Sequence, residues 1–294
     1  MHDQAIRLRN LVLAGGDDPR PPAADAPFVI AVSGGKGGVG TTTLAVNLSM
    51  ALARDGRRTL LVDADLEGAD VAALCRLEDR YTLADVLSDR RTVHEAIQRG
   101  PAGVQVLPGA WAPGRLADVS PAAQERFVRQ LRGLGAHADF VILDVGSGLS
   151  RAVRSFWRAA DCIMLATTPE LVSVMDAYAC VKVHLEGRES CGVYSLVNFT
   201  VDAGIAADVH SRLARACQRF LGVTVAAAGH VPDDGRVAEA AALGRPFFLE
   251  FPDCAATRRL EEIAQRLIAD AQNRGGRHEP RLGLRPPRQS AASA

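Results

Sequence analysis

The segment GGKGGVGTTT (34–43) packs five glycines, one lysine and three hydroxyl groups into ten residues. Backbone amides of such a loop, opening onto a helix N-terminus, can cradle phosphate oxygens, and glycine lets the main chain approach the anion closely. Downstream, VDADLEGAD carries Asp63 and Asp65, and FVILDVGSG carries Asp144 and Gly146. Carboxylates two residues apart at a strand end point the same way, which suits a magnesium ion and an attacking water. A strand-end turn with solvated acids is the alternative reading of Asp63 and Asp65. Asp144, ending an apolar run, is placed to hold Mg²⁺ through water, and Gly146 to open a mobile switch.

Within the loop, Gly35-x4-Gly40 has the Walker A phosphate-binding spacing, with Gly37, Gly38 and Val39 inside it. The residue after Gly40 is Thr41, where the motif usually has a lysine reaching the β- and γ-phosphates; one positive charge is therefore missing. Thr42 keeps the hydroxyl that ligates Mg²⁺, and Thr41 and Thr43 complete the cofactor-binding stretch beside it. Lys36 is the other candidate cation. Of 34 basic residues only Lys36 and Lys182 are lysine, so a lysine inside a glycine loop is a candidate for chemistry rather than composition.

These residues need elements to position them. Apolar runs at 28–33, 59–64, 104–109, 140–145, 162–167, 193–198 and 223–229 read as strands. Helical patterns lie between most of them, such as Leu44, Leu48 and Leu52 at i, i+4 and i+8. Near-continuous apolar strands alternating with helices predict an α/β fold, a mostly parallel twisted sheet with helices on both faces. A final helix over 256–273 carries Leu260, Ile263, Ala264, Leu267, Ile268 and Ala271 on one stripe, which reads as a core face. Residues 3–13 read as a short helix, followed by a Pro/Ala/Asp linker over 17–27. The chain thus divides into an N-terminal helix and linker (1–27), one phosphate-loop domain (28–273) and an Arg/Pro-rich tail (274–294).

Charge narrows the function. The 294 residues hold 34 basic and 34 acidic side chains, a formal net charge of zero, which argues against a nucleic-acid binder driven by bulk electrostatics. Two arginine stripes at helical spacing, Arg151/Arg154/Arg158 and Arg212/Arg215/Arg219, could meet DNA or an acidic partner, but read first as solvated faces. No apolar run reaches the roughly 18 residues that span a bilayer. The six cysteines show no CxxC pairing, which points to a reducing compartment and away from zinc.

The KGGVG stretch with Lys36 early in the loop resembles the deviant Walker A motif of the MinD/ParA ATPases. That resemblance implies ATP and Mg²⁺ as cofactors and an ATP-bridged homodimer in which Lys36 contacts phosphate across the interface. It also implies slow hydrolysis of ATP to ADP and phosphate, with Asp65 positioning water and Asp63 supporting the metal site. Thr41 departs from the family pattern and leaves the hydrolysis rate open. Asn198, Pro232 and Asp233 match family positions that contact adenine; capping a strand is the competing reading for Asn198.

Three stretches narrow the resemblance to the flagellar-number regulators of the FlhG group (FleN, YlxH). Asp3-Gln4-Ala5-Ile6-Arg7-Leu8-Arg9 fits the group's N-terminal DQAxxLR pattern. LDVGSGLS (143–150), TTPE (167–170) and MDAYACVK (175–182) look like its switch and dimer-side helix, and 228–248 is similar to its C-terminal half. The resemblance implies that Gln4, supported by Asp3, Leu8 and Arg9, stimulates an FlhF-type GTPase. Flagellar C-ring proteins or a flagellar transcription regulator are implied as further partners. A cytoplasmic location with weak contact at the inner face of the cell membrane goes with it. Two other readings stay open: a non-hydrolysing pilus-localisation scaffold of the CpaE/TadZ type, which also lacks the lysine, and a DNA-partition ParA.

Overall fold

The computed structural model describes residues 26–65, 68, 70–78, 80–110, 120–185 and 191–275. The expected N-terminal helix with Asp3, Gln4, Leu8 and Arg9, most of the linker, and the tail from 276 lie outside the described residues.

Eight strands form one sheet: β1 (Phe28–Gly34), β2 (Thr59–Asp63), β3 (Gln98–Arg99), β4 (Gln105–Leu107), β5 (Phe140–Ser147), β6 (Cys162–Thr167), β7 (Gly192–Thr200) and β8 (Val225–Pro232). Their order is β3-β4-β2-β5-β1-β6-β7-β8. All neighbouring pairs are parallel except β3 with β4. The seven apolar runs all become strands. The 104–109 run contributes only Gln105–Leu107, because Pro108 cannot donate to a ladder. β3 was not anticipated: two polar residues carry no periodicity, and it pairs antiparallel at the sheet's edge.

Strand alternation divides the interior into two cores. Val29 and Ala31 of β1, with Val141 and Leu143 of β5, face one layer, which includes the helices Pro121–Arg132, Arg151–Ala159, Leu171–His184 and Ala203–Leu221. Ile30 and Val32, with Ile142, face the other layer, built on the helices Thr41–Arg54 and Ala255–Gly275. The C-terminal stripe is a core face as expected, with Leu260, Ile263 and Leu267 buried. Each such side chain contributes about 1.5–3 kcal/mol by leaving water. No helix among the described residues is long and apolar enough to cross a membrane.

Every strand that carries a candidate residue presents it at its carboxyl end: Gly34 ends β1, Asp63 ends β2, Asp144 lies late in β5, Asn198 late in β7 and Pro232 ends β8. Ligands of open α/β sheets bind there, where neighbouring crossovers diverge; β1 stands between β5 and β6 at that point.

Candidate functional site

The loop that leaves β1 runs from Gly34 to Gly40 and feeds directly into the Thr41–Arg54 helix. Gly40 is the helix N-cap, in the left-handed region at φ 88°, and no side chain closes the helix end. The first-turn amides are thus presented to an anion with the positive end of the helix dipole behind them. The opposite wall of the loop is the Leu171–His184 helix. A Cβ at Gly35 would lie 2.4 Å from the backbone nitrogen of Ala177, so only glycine fits.

Asp63 and Asp144 are direct neighbours in the β2–β5 ladder and both are fully buried. Val71 donates its amide to Asp63 Oδ2 at 3.3 Å, and Gly146 donates to Asp144 Oδ1 at 3.4 Å. Asp63 Oδ1 and Asp144 Oδ2 are buried without a hydrogen-bond partner. Burial, reinforced by the charge of Asp144, pushes Asp63 up to about 8. Burial likewise raises Asp144 to about 7, opposed by hydrogen bonds from the Thr42 hydroxyl and the Gly146 amide. Two adjacent, desolvated carboxylates beside a threonine hydroxyl form an oxygen set that fits a hard divalent cation such as Mg²⁺, which takes few protein ligands and completes its shell with water and phosphate. Among the described residues, no group of three or more His, Cys, Asp or Glu side chains could hold a metal, so such a cation depends on those phosphate oxygens.

Asp65 sits two residues beyond Asp63, accepts the Gly68 amide at 3.2 Å on Oδ1, and abuts Gly146. A Cβ at Gly146, itself at φ 65°, would lie 2.4 Å from Asp65 Oδ2. The structure thus brings Asp63, Asp144, Asp65 and Thr42 together where β2 and β5 meet the first turn of the Thr41–Arg54 helix.

Lys36 forms an ion pair with Glu170 of the same chain, at the N-cap of the Leu171–His184 helix. Its side chain is 32% exposed, which puts it on the loop's outer rim. Glu170 carries no role in the sequence reading, although it stands in the TTPE stretch; the pairing is visible only once the fold joins two segments far apart in sequence. On the helix that follows Glu170, Leu171, Val172 and Met175 are each more than half exposed, as is Leu149 in the segment after β5.

The three remaining positions meet in one pocket. Asn198, Pro232 and Asp233 line a cavity of about 210 Å³ with Thr43, Leu44 and Phe199. Asn198 is not a strand cap: it lies inside β7, and its Nδ2 donates to the Val39 carbonyl at 2.9 Å. The side chain thereby ties β7 to the phosphate loop. A Cβ at Gly40 would lie 2.6 Å from the same Nδ2, so the loop packs directly on the amide. Phe199 beside it is at φ 54°, a conformation that costs a non-glycine residue about 1–3 kcal/mol.

Helix Leu171–His184 also reaches the segment that leaves β5. Buried His184 places Nε2 3.0 Å from the Gly148 carbonyl, and Gly148 donates its amide to Gly34 at 3.2 Å. Burial holds the imidazole below its ordinary value. No periodicity distinguishes His184 from an ordinary core residue in the sequence.

Comparison with known proteins places this geometry. Residues 28–183 match the family described as AAA domain. The chain is 33% identical over 239 residues to the antiactivator FleN of Pseudomonas aeruginosa, covering 81% of this chain and 85% of that protein. It is 28% identical over 190 residues to the flagellum site-determining protein YlxH of Helicobacter pylori, covering 64% of each chain. The solved septum site-determining protein MinD of Pyrococcus horikoshii, complexed with Mg-ADP, shares the fold with a TM-score of 0.69 at 24% identity, covering 82% of this chain and 96% of that one. The chain belongs to the MinD/ParA-type P-loop ATPases, in the group that holds the flagellar regulators FleN, FlhG and YlxH, a family whose cofactors are ATP and Mg²⁺.

Proposed function

We propose that this protein is an ATP-switched regulator of flagellar number and placement. The observation that carries the reading is the convergence of Thr42, Asp63, Asp144 and Asp65 on the open amides of the 34–43 loop. The loop backbone and Thr43 hold the phosphates, and Thr42, Asp63 and Asp144 hold Mg²⁺. Held there, Mg²⁺ would neutralise charge on the β- and γ-phosphates. Asp65 orients the attacking water, and the Asn198/Pro232/Asp233 pocket takes the adenine. Asn198 gives one Nδ2 hydrogen to Val39 and keeps Oδ1 as an acceptor, which matches the adenine amine.

Lys36 and the apolar residues around it support an ATP-bridged dimer. In one chain Lys36 pairs with Glu170; in the dimer it leaves that partner for the phosphates of the second copy, and the second copy covers Leu171, Val172 and Met175. The ATPase is slow because Thr41 stands where a phosphate-binding lysine is usual. The N-terminal segment acts on an FlhF-type GTPase through Gln4, with Asp3, Leu8 and Arg9 as supports. Flagellar C-ring proteins or a transcription regulator engage the dimer. The names of the relatives, an antiactivator and a flagellum site-determining protein, favour this reading over a pilus scaffold or a partition ATPase. The protein works in the cytoplasm and touches the membrane only transiently.

The test is sedimentation velocity with ATP and Mg²⁺. Wild type shifts from monomer to dimer, and Lys36→Ala remains monomeric while still binding nucleotide. A mutant that dimerises as wild type does would overturn the sandwich.

A further inference from the structure

Asn198 and Phe199 are consecutive in β7, and successive side chains of a regular strand point to opposite faces. Here both line the same pocket. The break in alternation is local. β7 and β8 lose register between Val197 and Thr200, and Phe199 takes φ 54° inside that irregularity. The strained backbone thus turns a bulky aromatic toward the ligand side of the sheet. A glycine would adopt this conformation freely but would leave no ring there.

The ring lies where a base would pass. A Cβ at Gly40 would sit 3.5 Å from Phe199 Cζ and 3.8 Å from Cε2, so the ring's edge lies beside the last glycine of the phosphate loop. The other aromatic lining the pocket, Phe247, is buried in the core, whereas Phe199 is 40% exposed. Strained residues persist where the surroundings impose them, and ligand clamps are among those places. An exposed aromatic face beside a phosphate site is suited to stack a heterocycle, because every base offers a π-face.

We propose that Phe199 is the stacking surface for the purine base of the bound nucleotide. It supplies affinity for the base, while hydrogen bonding at Asn198 supplies the choice of adenine. The inference rests on the nucleotide reading of the site.

The test is equilibrium dialysis of the full chain with labelled ADP and, separately, labelled pyrophosphate, both with Mg²⁺. Phe199→Leu keeps apolar bulk but loses the ring and weakens ADP about five- to a hundred-fold. Phe199→Tyr retains the ring and stays within about two-fold of wild type. Pyrophosphate, which has no base, binds all three proteins alike. Equal ADP affinity in wild type and Phe199→Leu would overturn the proposal and leave the nucleotide reading intact. A parallel loss of ADP and pyrophosphate would overturn it in favour of a structural role through Gly40. A wild-type protein that holds neither ligand would overturn the nucleotide reading itself.

Discussion

Asp63, which ends β2, and Asp144, late in β5, stand side by side, both fully buried, each with one oxygen that has no hydrogen-bond partner. Two adjacent carboxylates in a desolvated position are unfavourable by themselves, since each raises the cost of ionising the other. The arrangement becomes favourable when a cation sits against it.

Asp144→Asn separates these two conditions. The amide removes a buried charge, so the metal-free protein gains about 1–2 kcal/mol of stability. The same change removes the stabilisation that Mg-ADP gives wild type. Thermal melts with and without Mg-ADP check both halves; a variant that is less stable without ligand yet still responds fully to it would contradict the metal assignment.

The walls of the phosphate loop make a second prediction. Gly35→Ala forces a Cβ to within 2.4 Å of the Ala177 backbone, whereas a Cβ at Gly37 meets nothing within 4 Å. Urea denaturation of Gly35→Ala is expected to show a loss of about 2–4 kcal/mol, because backbone has to move. Gly37→Ala stays within about 0.5 kcal/mol of wild type. Equal losses in the two variants would mean that the loop does not pack on the Leu171–His184 helix.

His184 predicts the acid side of the stability profile. Burial lowers its pKa in the folded chain, with Arg154 adding to the effect and the bond to Gly148 opposing it. The unfolded chain then takes up the proton first as pH falls through the ordinary value of 6.5, so stability present above that pH is lost below it. His94, His210 and His230 are shifted the same way and contribute to the same slope. Replacing His184 with Gln makes the acid-side fall in melting temperature shallower; an unchanged slope would exclude His184 as a contributor.

Much of this was legible in the sequence, for physical reasons. A strand buried on both faces needs a continuous apolar run, so Phe28–Gly34 and Cys162–Thr167 announce themselves. A backbone that must approach an anion needs glycine, so the 34–43 loop does too. Asp63 and Asp144 could be named because a strand end followed by a ligand site is a local pattern. What escaped depends on distant segments or on dihedral angles. Glu170 meets Lys36 only when the loop folds against a helix more than a hundred residues later. The tie between Asn198 and Val39 spans a similar gap, and it replaces the strand-capping role that a local reading allows. Phe199 matters through a positive φ, which no phenylalanine signals in a sequence. β3, two polar residues long, has no pattern at all.

The most direct measurement is isothermal titration calorimetry of ATP into the full chain with magnesium present, for wild type and Asp144→Asn. The account predicts saturable uptake of one nucleotide per chain in wild type, and weakened uptake that no longer responds to magnesium in the variant. Absence of heat at millimolar nucleotide, or identical binding by the two proteins with and without the metal, would contradict it.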